Sequence, residues 1–229
     1  MAFSLHGLVW LLNSIAWGFL TFRFWQSFKR IKGKVSEFFF YFALCSTISY
    51  FIHAIYGLFF ADNFFIVRWG IVLGIFVLLI GFAFFGYLIV YMKFPKIPAK
   101  FGFLFVLILA IVQLILNSFY PPTPTLEKNK MMGIIQPMVG ILTFIIIAGT
   151  AFPLGIILIE EGLSLQGEAR IKSFGLGILC LWGIALAFLL SVLEVEPIRT
   201  FIAIAWAIGV FLITILTQRP PPPHYVKKI

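Results

Sequence analysis

Charge is what this sequence has least of. Only 11% of its 229 residues are Asp, Glu, Lys or Arg, against about 25% in an average soluble domain. Cysteine is nearly absent, with two copies. Cys45 and Cys180 therefore read as small packing residues and not as a disulfide framework. There is no HExxH, no CxxC and no Gly-rich phosphate-cradling loop. The expectation is a protein without enzymatic activity, with no catalytic residue, no metal and no cofactor.

What is present is apolar. Hydrophobic residues make up 62% of the chain, 29 of them Phe, and the mean hydropathy is +1.10. One water-soluble core could not absorb that excess. The apolar runs are continuous, not alternating, and about 20 residues long, as a helix crossing a bilayer requires. Lipid offers no partner to backbone N–H and C=O groups, so such runs must be helical. The pattern predicts an all-α, polytopic bundle of seven transmembrane helices over 5–28, 37–60, 66–92, 101–119, 132–159, 172–193 and 198–217. These form one transmembrane domain, 1–219, followed by a Pro-rich basic tail, 220–229. The first run has no basic region before it and no small-residue cleavage site after it, so it reads as a mature helix and not as a signal peptide.

None of these runs carries a charge near its middle, and that absence has reach. Retinal proteins need a lysine in the last helix, and 198–217 has none. Proton and cation pumps rely on intramembrane carboxylates, and there are none. A bis-histidine haem needs two buried imidazoles at matching depth, and only His53 lies well inside a run. His53 is also too isolated to be read as a metal ligand.

The charges that do exist set an orientation. With seven spans, Arg68, Lys128, Lys130 and Arg199 fall on one side, and the remaining thirteen of the 17 basic residues fall on the other. By the positive-inside rule the N-terminus is outside and the C-terminus cytoplasmic. The net charge of +9 then sits on the cytoplasmic face, suited to anionic lipid headgroups and not to nucleic acid. The location implied is the cytoplasmic (inner) membrane of a prokaryote.

Polar but uncharged side chains are unevenly placed. His6, Trp10, Asn13 and Trp17 share one face of the first helix, and Ser46, Ser49, Tyr50, His53 and Tyr56 one face of the second. Gln113, Asn117 and Tyr120 follow in the fourth, and Gln136 in the fifth. At 1.5 Å per residue, Asn13, His53 and Gln113 lie roughly 10 Å below the outer helix ends, and Asn117 and Gln136 about 5 Å below. Trp10, Asn13, Tyr50, His53, Tyr56, Gln113, Asn117 and Gln136 are therefore the candidate ligand-binding residues of an outward-facing polar pocket with aromatic walls. The competing reading is structural: amides and imidazoles bond helices together in lipid, and Trp and Tyr anchor helix ends at the interface.

Elsewhere, Tyr120-Pro121-Pro122-Thr123-Pro124 predicts an extended, polyproline-like start to the longest external connection. Pro153 should bend the fifth helix, with Thr150 placed to serve the carbonyl it frees. Gly70-xxx-Gly74, Ala203-xxx-Ala207 and Ala205-xxx-Gly209 permit close helix approach, within the bundle or in a homo-oligomer. Glu160, Glu161, Glu168, Arg170 and Lys172 border the fifth and sixth helices as a solvated boundary or a charged hinge.

Several of these features together resemble a known architecture. A basic turn, Phe28-Lys29-Arg30-Ile31-Lys32, precedes an aromatic-rich second helix; the third closes with Tyr91-Met92-Lys93-Phe94-Pro95; and Gly167-Glu168-Ala169-Arg170-Ile171-Lys172-Ser173-Phe174 leads into a Gly-rich sixth. The chain resembles the seven-helix sensory modules at the N-termini of bacterial and archaeal histidine kinases, over nearly its whole length. The resemblance implies a receptor-like, sensory membrane protein. No kinase domain follows residue 219, so it would act through a separate cytoplasmic or intramembrane protein partner, with membrane lipids as its surroundings. An alternative is a small-solute transporter of the seven-helix sugar-efflux type, to which Ala54-Ile55-Tyr56-Gly57-Leu58 with Asp62, and Phe152-Pro153-Leu154, are similar, although that family's repeated prolines and paired asparagines are absent. A third is a non-catalytic subunit of a larger membrane complex. A transporter predicts two halves around a central cavity, a sensor an outward pocket, and a structural subunit no cavity.

Overall fold

A computed structural model describes residues 5–127, 130–134, 137–192 and 196–216. It contains seven helices: α1 (Leu5–Ile31), α2 (Lys34–Phe59), α3 (Phe64–Lys93), α4 (Lys100–Phe119), α5 (Pro137–Ser164), α6 (Gly167–Val192) and α7 (Glu196–Leu216). The first six are long and apolar enough to cross a membrane; in α7 the described apolar stretch is the shorter Thr200–Ile215. Helix number and order agree with the sequence-based expectation, and most ends lie within three residues of it.

The departures are local. α5 begins at Pro137, five residues later than expected, because residues 132–134 belong to a strand. β1 (Thr123–Glu127) and β2 (Lys130–Ile134) pair antiparallel, Thr123 opposite Ile134 and Glu127 opposite Lys130. The connection expected to start extended thus goes on as a β-hairpin, and apart from it the described residues hold no strand. Proline cannot donate a ladder hydrogen bond, but a two-stranded ribbon is all edge and tolerates Pro124. Pro137 then starts α5, where its missing N–H costs nothing. α6 starts five residues earlier than expected, at Gly167, whose φ of +61° suits a residue without Cβ. The tail 220–229 lies outside the described residues.

Six of the helices form a closed ring. Contacts run α1 to α2, α2 to α3, α3 to α5, α5 to α6, α6 to α7 and α7 back to α1. α4 stands outside the ring, leaning on α3 and α5. Its buried residues, Val106, Ala110, Gln113 and Asn117, recur every three or four positions, one helical stripe. Its other faces expose Phe101, Phe105, Ile108, Ile115 and Phe119. Exposed phenylalanines on this scale would drive aggregation in water; against acyl chains they are solvated.

Two glycine pairs set the closest approaches. A Cβ on Gly7 would lie 2.6 Å from the backbone of Gly57, and one on Gly86 would lie 2.6 Å from the Gly102 carbonyl oxygen. These contacts bring α1 against α2, and α4 against α3, closer than any side chain would permit. Polar ties are few. Lys93 Nζ meets Glu160 Oε2 at 2.6 Å between the ends of α3 and α5, an exposed pair worth no more than about 1 kcal/mol. Thr150 does not serve the carbonyl freed by Pro153. Its Oγ1 donates to Ile146 O at 2.7 Å, the back-bond a helical threonine makes most readily.

Candidate functional site

The ring encloses a cavity of about 370 Å³. Every ring helix contributes to its wall and α4 contributes nothing. Along α1 the lining runs from His6 to Phe24, and along α2 from Tyr56 back to Phe39. At 1.5 Å per residue both distances are about 25–27 Å, close to the thickness of a bilayer's hydrocarbon core, roughly 30 Å. Among the described residues no Asp, Glu, Lys or Arg lines it.

The two ends differ in chemistry. The end formed by the start of α1 and the close of α2 carries His6, Trp10, Tyr50, His53 and Tyr56. Trp10 stacks on Tyr50 with ring centroids 5.5 Å apart and touches the His53 ring at 5.3 Å. Tyr56 lies against His53 at 5.3 Å. Two glycines make room for these rings: a Cβ on Gly70 or Gly74 of α3 would collide with the Tyr56 ring or the His53 imidazole. This small-residue pair therefore serves the bundle's own packing. Ser49 Oγ donates to the Gly74 carbonyl at 2.7 Å, holding α2 and α3 together beside the imidazole.

The hydrogen bonds fix what this end can offer. His53 Nδ1 lies 2.7 Å from the Ser49 carbonyl. A carbonyl can only accept, so Nδ1 carries the proton and Nε2 of the neutral ring is an acceptor. Trp206 Nε1 donates to the Tyr50 hydroxyl at 3.0 Å, leaving that hydroxyl's own proton to donate elsewhere. Trp17 closes the aromatic group, 6.4 Å from Tyr50 and 5.9 Å from Trp206 between centroids. Its indole N–H is buried with no acceptor among the described residues.

Toward the other end the wall becomes apolar, with Leu20, Phe24, Phe39, Phe42, Phe82 and Phe85. Phe42 packs on Phe85 at 3.9 Å and Phe24 on Phe39 at 5.4 Å. Hydroxyls on the wall are committed to backbone: Ser46 Oγ donates to Phe42 O at 3.0 Å, and Thr143 Oγ1, near the start of α5, to Val139 O at 2.8 Å.

The candidate residues thus separate into two groups. Trp10, Tyr50, His53 and Tyr56 converge on the cavity. Asn13, Gln113 and Asn117 are buried but do not line it. Asn13 Nδ2 donates to Ala203 O at 3.1 Å, joining α1 to α7, and Gln113 Nε2 donates to Thr143 Oγ1 at 3.2 Å, joining α4 to α5. Asn117 shares the buried face of α4 with Gln113, away from the ring's interior. Gln136 lies outside the described residues. The contribution of α5, α6 and α7, including Phe144, Cys180 and Trp206, was not singled out from sequence. Those residues are mostly apolar and resemble any lipid-facing position until the ring is closed. Among the described residues no group of three or more His, Cys, Asp or Glu side chains is placed to hold a metal. Compared with protein-family models, with curated proteins and with solved structures, the chain matches none of them.

Proposed function

We propose that this chain is a receptor-like integral membrane protein without enzymatic activity, which holds a small uncharged ligand inside its helical ring. In this reading Trp10, Tyr50, His53 and Tyr56 bind the ligand, and a separate protein partner receives the signal. The N-terminus is outside and the C-terminus cytoplasmic, following the distribution of basic residues, in a prokaryotic cytoplasmic membrane. The supporting observation is the cavity itself, with its polar atoms gathered at one end and an uncharged wall throughout.

The ring also favours a second reading. Three helices before α4 and three after it surround a central space, the arrangement expected of a seven-helix transporter. The middle of the cavity weighs against a sugar as cargo. Each hydroxyl moved past Leu20, Phe42, Leu78 and Phe82 without a hydrogen bond would cost about 2 kcal/mol or more, and a sugar carries several.

The test uses protein in lipid nanodiscs and 1-aminoanthracene, an apolar fluorophore that brightens in dry surroundings. Ala151 lies on the wall and is 3% exposed, so Ala151→Phe fills the cavity. The expected result is saturable one-to-one binding, weakened at least about tenfold in Ala151→Phe with its thermal midpoint within a few degrees of wild type. Non-saturable partitioning, equal in both proteins, would overturn the reading. Saturable sugar flux into proteoliposomes would replace it with the transporter.

A further inference from the structure

The shape and hydrogen-bonding inventory of the cavity go further than ligand binding in general; they specify a class of ligand, an inference that rests on the ligand-binding reading above. A cavity of about 370 Å³ whose lining extends over ~27 Å is elongated, long enough for one extended hydrocarbon chain. An extended chain advances ~1.3 Å per atom when C–C bonds are about 1.5 Å long. The length therefore accommodates ~20 chain atoms, a short head and an acyl chain of ~16–18 carbons.

The head must suit the end at which His53 sits. With no Lys or Arg among the described residues of the wall, a phosphate or carboxylate would leave water without a counter-charge, which is costly against apolar surroundings. An uncharged head has a specific set of partners waiting. The Tyr50 hydroxyl has a proton to give because it accepts from Trp206. His53 Nε2 has a lone pair to receive because Nδ1 is spent on Ser49 O. The buried Trp17 N–H has no acceptor among the described residues. A head that carries hydroxyls and an ester carbonyl matches both kinds of partner, whereas a plain ester cannot donate to His53.

We propose that the cavity binds an uncharged single-chain amphiphile of the monoacylglycerol type. Its hydroxyl donates to His53 Nε2, its carbonyl accepts from the Tyr50 or Trp17 donor, and its tail lies between Leu20, Phe42 and Phe85. The head must dominate selectivity. The tail leaves acyl chains for an equally apolar wall, so it gains little over the bilayer, while each polar contact is absent in lipid.

The fluorophore provides the assay, displaced from wild-type protein in nanodiscs. 1-Oleoylglycerol should displace it at least tenfold more potently than methyl oleate (same chain, no hydroxyl), dioleoylglycerol (two chains) or 1-oleoyl lysophosphatidate (charged head). In His53→Leu and Tyr50→Phe, whatever their own affinity for the fluorophore, the ratio of potencies of 1-oleoylglycerol and methyl oleate should fall below about threefold. If His53→Leu does not fold, Tyr50→Phe must lose the advantage, while His53→Gln, which retains an acceptor, must keep it. Equal potency of the hydroxyl-bearing and plain esters, or preference for the charged or two-chain lipid, overturns the ligand class while fluorophore binding stands. Failure of wild-type protein to bind the fluorophore removes the cavity reading beneath it.

Discussion

At the residue scale, the buried amides illustrate how a polar side chain in lipid can be structural without contributing much stability. Asn13 Nδ2 donates to Val9 O and to Ala203 O at 3.0 and 3.1 Å, while its Oδ1 has no partner among the described residues. Val9 and Ala203 lie inside helices, whose carbonyls already receive an i+4 backbone donor. Replacing Asn13 by Leu therefore strands nothing and removes one unsatisfied oxygen. Interhelical hydrogen bonds in membranes average about 0.6 kcal/mol, so Asn13→Leu should change stability by less than about 1 kcal/mol in reversible unfolding. Asn13→Asp, which buries a charge at the same point, should cost several. A loss above about 3 kcal/mol for the leucine variant would mean that this bond organises the α1–α7 contact. The face of α2 that carries Tyr50, His53 and Tyr56 was legible in the sequence because 3.6-residue periodicity places these side chains together. The destination of Asn13 was not legible. Periodicity gives a face, and α1 turns its faces to both α2 and α7.

At the scale of elements, the bundle depends on close approach between backbones. Gly86 faces Gly102 with room for hydrogen only. Gly86→Val should wedge α4 from α3 and lower stability by about 2 kcal/mol or more, in the range for overpacked cores. Gly149 is the control, because nothing stands within 4 Å of a Cβ added there. Gly149→Ala should be neutral or stabilising by up to about 1 kcal/mol through helix propensity. Equal losses in both variants would refute the steric account; chemical denaturation in mixed micelles reads both. Helix number was legible because lipid permits little else for uncharged runs of this length. The hairpin was hidden by Met131, Met132, Ile134 and Ile135, an apolar stretch continuous with α5. The useful signal was Pro137, since the residue before a proline is driven out of the α region.

At the scale of the whole molecule, three helices before α4 and three after it surround one long cavity whose described lining is uncharged, and α4 stands outside. Local sequence could not show that α4 stands outside the ring. Its Gln113 and Asn117 looked as eligible for the site as Tyr50 and His53, and only chain topology places them on the buried stripe of α4, with Gln113 bonded to Thr143 of α5. The same topology gives the lack of buried charge its meaning: the described wall is apolar over most of its length and carries no charged side chain, which suits an occupant drawn from the bilayer. The most direct measurement of that claim is native mass spectrometry of the protein released from its membrane. The account predicts one bound adduct per chain with the mass of an uncharged single-chain lipid, retained at low activation in wild type and lost in Ala151→Phe. No adduct, or one that persists unchanged when the cavity is filled, would contradict it.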